Sequence, residues 1–192
     1  MSATDNSHGA EPTRRDFIHI LALATTAVGA AGAVVPLVQQ MNPDASVLAL
    51  STKEVDLSSL EVGQAIKVMW QGKPVFIRRR TAEEIETSED TPLSDLKDPI
   101  ARNDNIAANA DAEDKNRVIN PQYIVVVGVC THLGCVPLGT SPGEVRGDYG
   151  GWFCPCHGSH YDNSGRIRKG PAPQNLEVPK YVFVTDSSIR VG

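Results

Sequence analysis

The longest apolar run in the chain extends from Phe17 to Val38 without a charged residue. As a helix rising about 1.5 Å per residue it reaches about 33 Å, against a hydrocarbon core of roughly 30 Å. The pattern therefore predicts one membrane-spanning helix over 17–38. Its content is mild, rich in Ala, Gly and Val with Thr25, Thr26 and Pro36, so a cleaved signal sequence is the alternative. The small-residue triplet Ala31-Gly32-Ala33 lies inside the run, whereas a cleavage site follows it in a more polar setting, and this argues for a retained anchor. Pro36 is tolerable in a membrane helix. Arg14 and Arg15 precede the run, while Asp44 follows it and the next basic residue is Lys53. The positive-inside rule then leaves the tail 1–16 in the cytoplasm and the bulk of the chain outside.

Beyond the run the periodicity changes. Residues 39–49 are short and polar, with the turn-prone Asn42-Pro43-Asp44, and read as a flexible linker or hinge. Ile66, Val68 and Trp70 then alternate with outward residues, Gln71-Gly72-Lys73 turns, and Val75-Phe76-Ile77 returns, a β-hairpin. Tyr123–Val129, Gly151–Cys154, and Tyr181–Val184 with Ile189 and Val191 around Asp186-Ser187-Ser188 read as further strands. The exported portion, residues 50–192, is expected to be mainly β and antiparallel.

Residues 81–116 interrupt this pattern with eleven acidic residues against Lys97, Arg102 and Lys115. A polar excursion of that length in a small β domain is expected to be a surface insertion with some helix, with a docking face for a partner as the alternative. It also accounts for the net charge of −5 on 192 residues. The longest basic stretch is Arg78-Arg79-Arg80, read as a solvated strand end with a docking patch as the alternative, and too short for an electrostatic nucleic-acid footprint, so nucleic-acid binding is excluded. At 41% hydrophobic and 21% charged the chain is a foldable one.

All four cysteines fall in two short loops, Cys130-Thr131-His132-Leu133-Gly134-Cys135 and Cys154-Pro155-Cys156-His157-Gly158-Ser159. One Cys and one His from each loop make four ligands, and the remaining two cysteines could pair. Structural zinc accepts two cysteines and two histidines but usually keeps like ligands together in sequence, and here they are mixed. Mononuclear copper would want an axial methionine, and Met1, Met41 and Met69 are all remote in sequence. A 2Fe-2S cluster with two thiolates on one iron and two imidazoles on the other fits mixed pairs from two loops. Which cysteine of each loop ligates stays open on this reasoning.

With these motifs, the following His160-Tyr161-Asp162, the later Gly170-Pro171-Ala172-Pro173, the flank Thr13-Arg14-Arg15-Asp16-Phe17-Ile18 and the acidic segment, the chain closely resembles the Rieske iron-sulfur subunits of cytochrome bc complexes, in particular those of bacterial ubiquinol-cytochrome c reductase. The resemblance runs nearly end to end. It implies a single transmembrane helix carrying an exported antiparallel β-sandwich, with a small cluster-binding subdomain over about 128–174. It implies one Rieske 2Fe-2S cluster held by Cys130, His132, Cys154 and His157, and a disulfide between Cys135 and Cys156. Ser159 and Tyr161 are implied as hydroxyl donors that tune the cluster. Leu133 and the stiff Gly170, Pro171, Ala172 and Pro173 are implied as its cover and docking edge.

The implied activity is that of an oxidoreductase subunit. It takes an electron, coupled to a proton, from ubiquinol at cytochrome b and passes it to a c-type cytochrome within a dimeric complex of the bacterial plasma membrane. His132 and His157 are the expected quinol-facing, proton-coupled groups, because a metal on one ring nitrogen acidifies the other. A linker between anchor and head would let the head swing between partners. The Arg pair resembles a twin-arginine export signal, which suits a protein exported with its cofactor already loaded. His8, His19 and His160 have no such setting, and His160 is expected to be a surface neighbour. The alternatives are the small Rieske subunit of an arsenite-oxidase-like enzyme and, in another class, a non-redox zinc-binding module. A Rieske oxygenase is disfavoured because no second site of two histidines and a carboxylate is visible.

Overall fold

The computed structural model describes residues 13–44, 47 and 51–192. The chain divides into two units, Met1–Ala45 and Ser46–Gly192. In the first, helix α1 (Arg14–Gln39) starts three residues before the apolar run. Thr13 is the reason: its hydroxyl accepts from Asp16 N, and the Asp16 carboxylate accepts from Thr13 N at 2.8 Å, a capping box that draws both arginines into the first turn. Thr25 and Thr26 return their hydroxyls to the carbonyls of Leu21 and Ala22, so neither presents an unsatisfied donor along the helix. None of its described side chains is buried within the protein, and the helix is long and apolar enough to cross a membrane. Much of the predicted tail (1–12) and part of the predicted linker (45, 46, 48 and 49) lie outside the described residues.

The second unit is built on three antiparallel sheets of three strands. The first joins β1 (Lys53–Asp56), β9 (Ser188–Val191) and β8 (Tyr181–Thr185), in that order. The second joins β2 (Ala65–Trp70), β3 (Lys73–Arg79) and β4 (Tyr123–Val127). Its first hairpin turns on Gln71 and Gly72, both at positive φ (48° and 75°), the pair of left-handed residues that a tight hairpin needs. The third joins β5 (Gly150–Cys154), β6 (Ser159–Asp162) and β7 (Ile167–Lys169). Val75, Phe76 and Ile77 with the whole of β4 are buried, and Phe76 stacks on Trp152 of β5 with ring centroids 6.1 Å apart, which fastens the second sheet to the third. Gly128 follows β4 where the Phe76 ring leaves no room for a Cβ.

Two expectations are corrected here. The arginine triplet is not a solvated strand end: Arg78 and Arg80 are buried, and Arg79 is half-buried with its guanidinium 5.9 Å from the centre of the Tyr123 ring. The 81–116 segment is not a plain surface excursion either, because it supplies the partner carboxylates. Arg78 grips Glu84 through Nε at 3.1 Å and Nη2 at 2.6 Å, and Arg80 grips Asp114 through Nη1 at 2.6 Å and Nη2 at 2.9 Å. Glu84 also completes the capping box of helix α2 (Ala82–Glu89) with Thr81, so one carboxylate starts the helix and pins it to β3. A buried guanidinium is tolerable only when its five donors are matched, and two-pronged carboxylates do that.

Arg117, fully buried, is held differently. It donates to the carbonyls of Ser164, Leu176 and Ala101, and burial pushes its pKa down to about 10, so it stays charged at neutral pH. Arg166, equally buried, pairs with Asp162 at 2.7 Å and reaches the carbonyl of Ser88 on α2. The acidic segment is thus sewn to the third sheet from inside.

Arg80→Met strands the Asp114 carboxylate and is expected to lower the unfolding free energy by about 3–5 kcal/mol, read from urea midpoints. Burial pushes the carboxyls of Glu84 and Asp98 up, but hydrogen bonds from Arg78 and Arg146 to the first and from Arg102 and backbone amides to the second outweigh it, and both pKa values end below their ordinary range. A depressed folded pKa stabilises at pH above the unfolded value, and that stability is lost as pH falls through the folded one. The urea midpoint is therefore expected to fall on acidification below about pH 4.5, and less steeply in Glu84→Gln relative to its own neutral-pH value.

Candidate metal centre

Each cysteine-bearing loop closes on itself in the same way. In the first, Gly134 N donates to Cys130 O at 2.9 Å, and in the second Gly158 N donates to Cys154 O at 3.0 Å. Both glycines hold φ near 80° (83° and 74°), which a side chain disfavours. The repeated Cys-x3-Gly spacing behind this was visible in the sequence, and its meaning is geometric. A cysteine at the end of a buried strand or its extension begins a one-turn loop, and His132 or His157 rides on that turn. Cys130 N also donates to Cys135 O at 2.8 Å, which shuts the first loop.

Cys135 and Cys156 are joined as a disulfide with Cα atoms 6.8 Å apart, tying loop to loop. The sulfurs of Cys135, Cys154 and Cys156 lie within 4.8 Å of one another, but the two disulfide sulfurs have no thiolate to offer, which leaves Cys154 as the donor of that trio. Cys130 and Cys154 are free and buried. Burial raises the Cys154 pKa and the adjacent Cys130 thiol adds to it, as two sulfurs sharing one apolar site should. The rings of His132 and His157 meet edge to face with centroids 4.6 Å apart.

A 2Fe-2S cluster of mixed ligation needs two thiols from buried positions and two imidazoles on the same side, all close together. The structure brings the two buried thiols together and, as a second pair, the two imidazole rings. Nδ1 of His132 is buried and has no hydrogen-bond partner, a cost that a buried polar atom avoids when a metal takes its lone pair. The residues present therefore fit such a group.

Around the donors sits a hydrogen-bonded frame. Ser159 lies opposite Cys154 across the β5–β6 hairpin and Tyr161 lies opposite Trp152. The Tyr161 hydroxyl donates to Cys130 Sγ at 3.3 Å and accepts from Thr131 N at 3.3 Å; burial and the neighbouring sulfur push its pKa up, so it remains a donor. Ser159 Oγ, also buried, accepts from Ala172 N at 3.2 Å, and its own proton is left to donate elsewhere.

Gly170, Pro171, Ala172 and Pro173 form a third loop. Gly170, at φ 98°, lies against the backbone of Gly158 and Ser159 so closely that a Cβ would collide with it. Thr131 Oγ1 donates to Gln174 O at 2.7 Å, and the side chain of Lys97 reaches the carbonyls of Gly170 and Ala172. Three loops thus enclose the donors, and Leu133 (72% exposed), His157, Pro171 and Pro173 remain at the outer rim.

His160 sits outside this group. Its Nδ1 accepts from Asp148 N at 3.0 Å and its ring lies 4.8 Å from that of Phe153. Thr131, Lys97 and Asp98 are the members that sequence reasoning passed over. Thr131 could have been suspected from its place beside a ligand candidate. Lys97 carries no local signal, since its partners lie more than 70 residues downstream, and Asp98, though paired with Arg102 four residues on, meets Asn175 only across 77 positions.

Two family profiles match the chain: "Ubiquitinol-cytochrome C reductase Fe-S subunit TAT signal" over residues 4–44 and the Rieske 2Fe-2S domain over 98–181. Among curated relatives, the ubiquinol-cytochrome c reductase iron-sulfur subunit of Rhodospirillum rubrum is 50% identical over 98% of this chain and 97% of its own length. That of Cereibacter sphaeroides is 52% identical over 94% of this chain and 95% of its own. A chain of the solved structure "Hyperthermophilic respiratory Complex III" aligns with a TM-score of 0.48 and 25% identity, over 90% of this chain and 98% of that one.

Gly170→Ala meets both a left-handed φ and the Gly158 backbone, whereas Gly134→Ala meets only the φ. Thermal melts are expected to show a loss of about 1–2 kcal/mol for Gly134→Ala and a clearly larger one for Gly170→Ala. Equal losses would mean that the third loop does not press on the second.

Proposed function

The chain belongs to the family of ubiquinol-cytochrome c reductase iron-sulfur subunits, and from that premise we propose that it is the one-electron carrier of such a complex, an oxidoreductase subunit that takes an electron and a proton from ubiquinol and delivers the electron to a c-type cytochrome. The observation that supports this reading is the pairing of six Cys and His positions from two loops: two as adjacent buried thiols, two as imidazole rings in contact and two as a disulfide. Cys130, His132, Cys154 and His157 would hold the 2Fe-2S cluster. Such a cluster supplies reversible one-electron uptake at a potential raised above that of an all-thiolate cluster, because neutral imidazoles replace two negative ligands.

The protein's own groups do the rest. His132 binding through its buried Nδ1 leaves Nε2 as the atom that holds or releases a proton, and His157 offers a second ring beside it. Tyr161, with its hydroxyl on Cys130 Sγ, and Ser159, with a proton to donate, favour added negative charge at the site. The disulfide and the third loop keep water from the inner sulfurs, while exposed Leu133, Pro171 and Pro173 form an apolar edge suited to a lipophilic quinol site on cytochrome b.

The protein is a membrane-anchored bacterial subunit. The arginines before the span support, by the positive-inside rule, an N-terminus in the cytoplasm and residues 50–192 in the periplasm. Cytochrome b, the c-type cytochrome and a second copy of the assembly complete the set of partners in this proposal.

Low-temperature EPR of the ascorbate-reduced protein, with iron and zinc counted on the same sample, tests the reading. An anisotropic signal with about two irons per chain, lost in His157→Gln and in Cys154→Ala, is the expected result. Zinc at about one per chain with no signal, in a preparation that has not lost iron, would overturn it in favour of a structural metal site.

A further inference from the structure

The third loop has few ways to hold itself. Pro171 and Pro173 carry no N–H, so within Pro171–Pro173 the only backbone donor is Ala172 N, and that donor is given to Ser159 Oγ at 3.2 Å. Nothing inside the loop then fixes its carbonyls. Two of them, Gly170 O and Ala172 O, converge on Lys97 Nζ at 2.5 and 3.2 Å. Lys97 lies in the acidic segment, yet its ammonium makes no ion pair among the described residues, although carboxylates abound nearby in sequence. Its neighbour explains the placement. Asp98, buried and held by Arg102, accepts from Asn175 N at 3.0 Å, while Asn175 Nδ2 donates to the carbonyls of Asp98 and Ile100. Lys97 is therefore delivered over the loop by a buried anchor and not by its own flexibility.

We propose that Lys97 is a positioning residue for the electron-accepting site: its ammonium clamps the carbonyls of Gly170 and Ala172, and the clamped Ala172 N–H holds Ser159 Oγ so that the serine proton points at the site. This rests on the reading of Cys130, His132, Cys154 and His157 as cluster ligands. The chain of contacts is short and each member has one job. Lys97 fixes the loop, the loop fixes the one available amide, and the amide occupies an acceptor position of Ser159 so that its hydroxyl cannot turn back toward the loop. A hydroxyl so oriented favours the reduced, more negative site, and the lysine charge adds to that in the same direction. The acidic segment thereby acquires a role in the redox site itself.

The test is a redox titration of the full chain in membranes, followed by the EPR signal, for Lys97→Met, Lys97→Arg, Ser159→Ala and the Lys97→Met/Ser159→Ala pair. Lys97→Met keeps the aliphatic stem and removes the clamp. The side chain is exposed, so the fold is expected to survive, and the iron content and signal of the variant report whether it has. Lys97→Met is expected to lower the reduction equilibrium constant about threefold, which at about 59 mV per decade for one electron is about 28 mV. Lys97→Arg restores it, and amide exchange in residues 170–175 speeds up in Lys97→Met alone. In the Ser159→Ala background most of the Lys97→Met shift should vanish, because residues acting through one another are not additive. An unchanged potential in Lys97→Met overturns the proposal, as does an equal shift with and without Ser159, which would leave only a through-space charge. A wild-type protein lacking the signal would overturn the ligand reading, and this inference with it.

Discussion

Two buried thiols beside each other and an imidazole nitrogen with no hydrogen-bond partner are an unfavourable thing for a folded chain to maintain, because burial costs the thiols their hydration and leaves the nitrogen nothing in exchange for water. The globular unit can be understood as the structure that holds them there. Cys130 and Cys154 sit within the main core, close to the point where Phe76 meets Trp152, so the donor atoms are fixed by packing before any loop geometry is considered. Each loop then closes through a glycine amide onto its own cysteine carbonyl, and the disulfide prevents the two loops from parting. Donors held by rigid elements need little reorganisation when a metal group binds or changes charge.

The same economy governs the arginines. Arg78, Arg80, Arg117 and Arg166 are buried, and each is satisfied by a different chemistry: a helix-capping carboxylate, an aspartate from a short 3-10 turn, three carbonyls, and an aspartate four residues back. Guanidinium suits this task because its donors point along fixed directions and it stays charged when desolvated. Each of the four takes at least one partner from residues 81–116. That segment is consequently an internal brace with an acidic exterior. Glu84, Asp98 and Asp114 are the braces, while Glu83, Glu86, Glu89 and Asp90 stay in solvent.

The third loop shows how far such bracing reaches. Its prolines remove donors and limit motion, which leaves it dependent on Ser159 and Lys97, and on Thr131 at the adjoining Gln174, for its position. A wall that must be stiff and thin over a redox site cannot be packed on both faces, so hydrogen bonds to its carbonyls do the work that core packing does elsewhere.

The sequence by itself determined the apolar run, the strands of the Gln71-Gly72 hairpin, β4, β5, β8 and β9, and the two cysteine loops, because each depends on periodicity or on residues close in sequence. The Gln71-Gly72 hairpin and the Cys-x3-Gly turns belong to that class. The short β1, β6 and β7 carry too little pattern to be read and appear only once they pair. The sequence could not decide the fate of Arg78, Arg79 and Arg80, whose charge pattern is that of a solvent-exposed run until Glu84 and Asp114 are brought beneath them. Nor could it attach Lys97 to Gly170, or Arg117 to Leu176, since those bonds join residues 73 and 59 positions apart. Local chemistry is written in the order of residues. Which buried charge meets which partner is settled only when sheets pack and water leaves, since the cost of an unmatched charge arises only there.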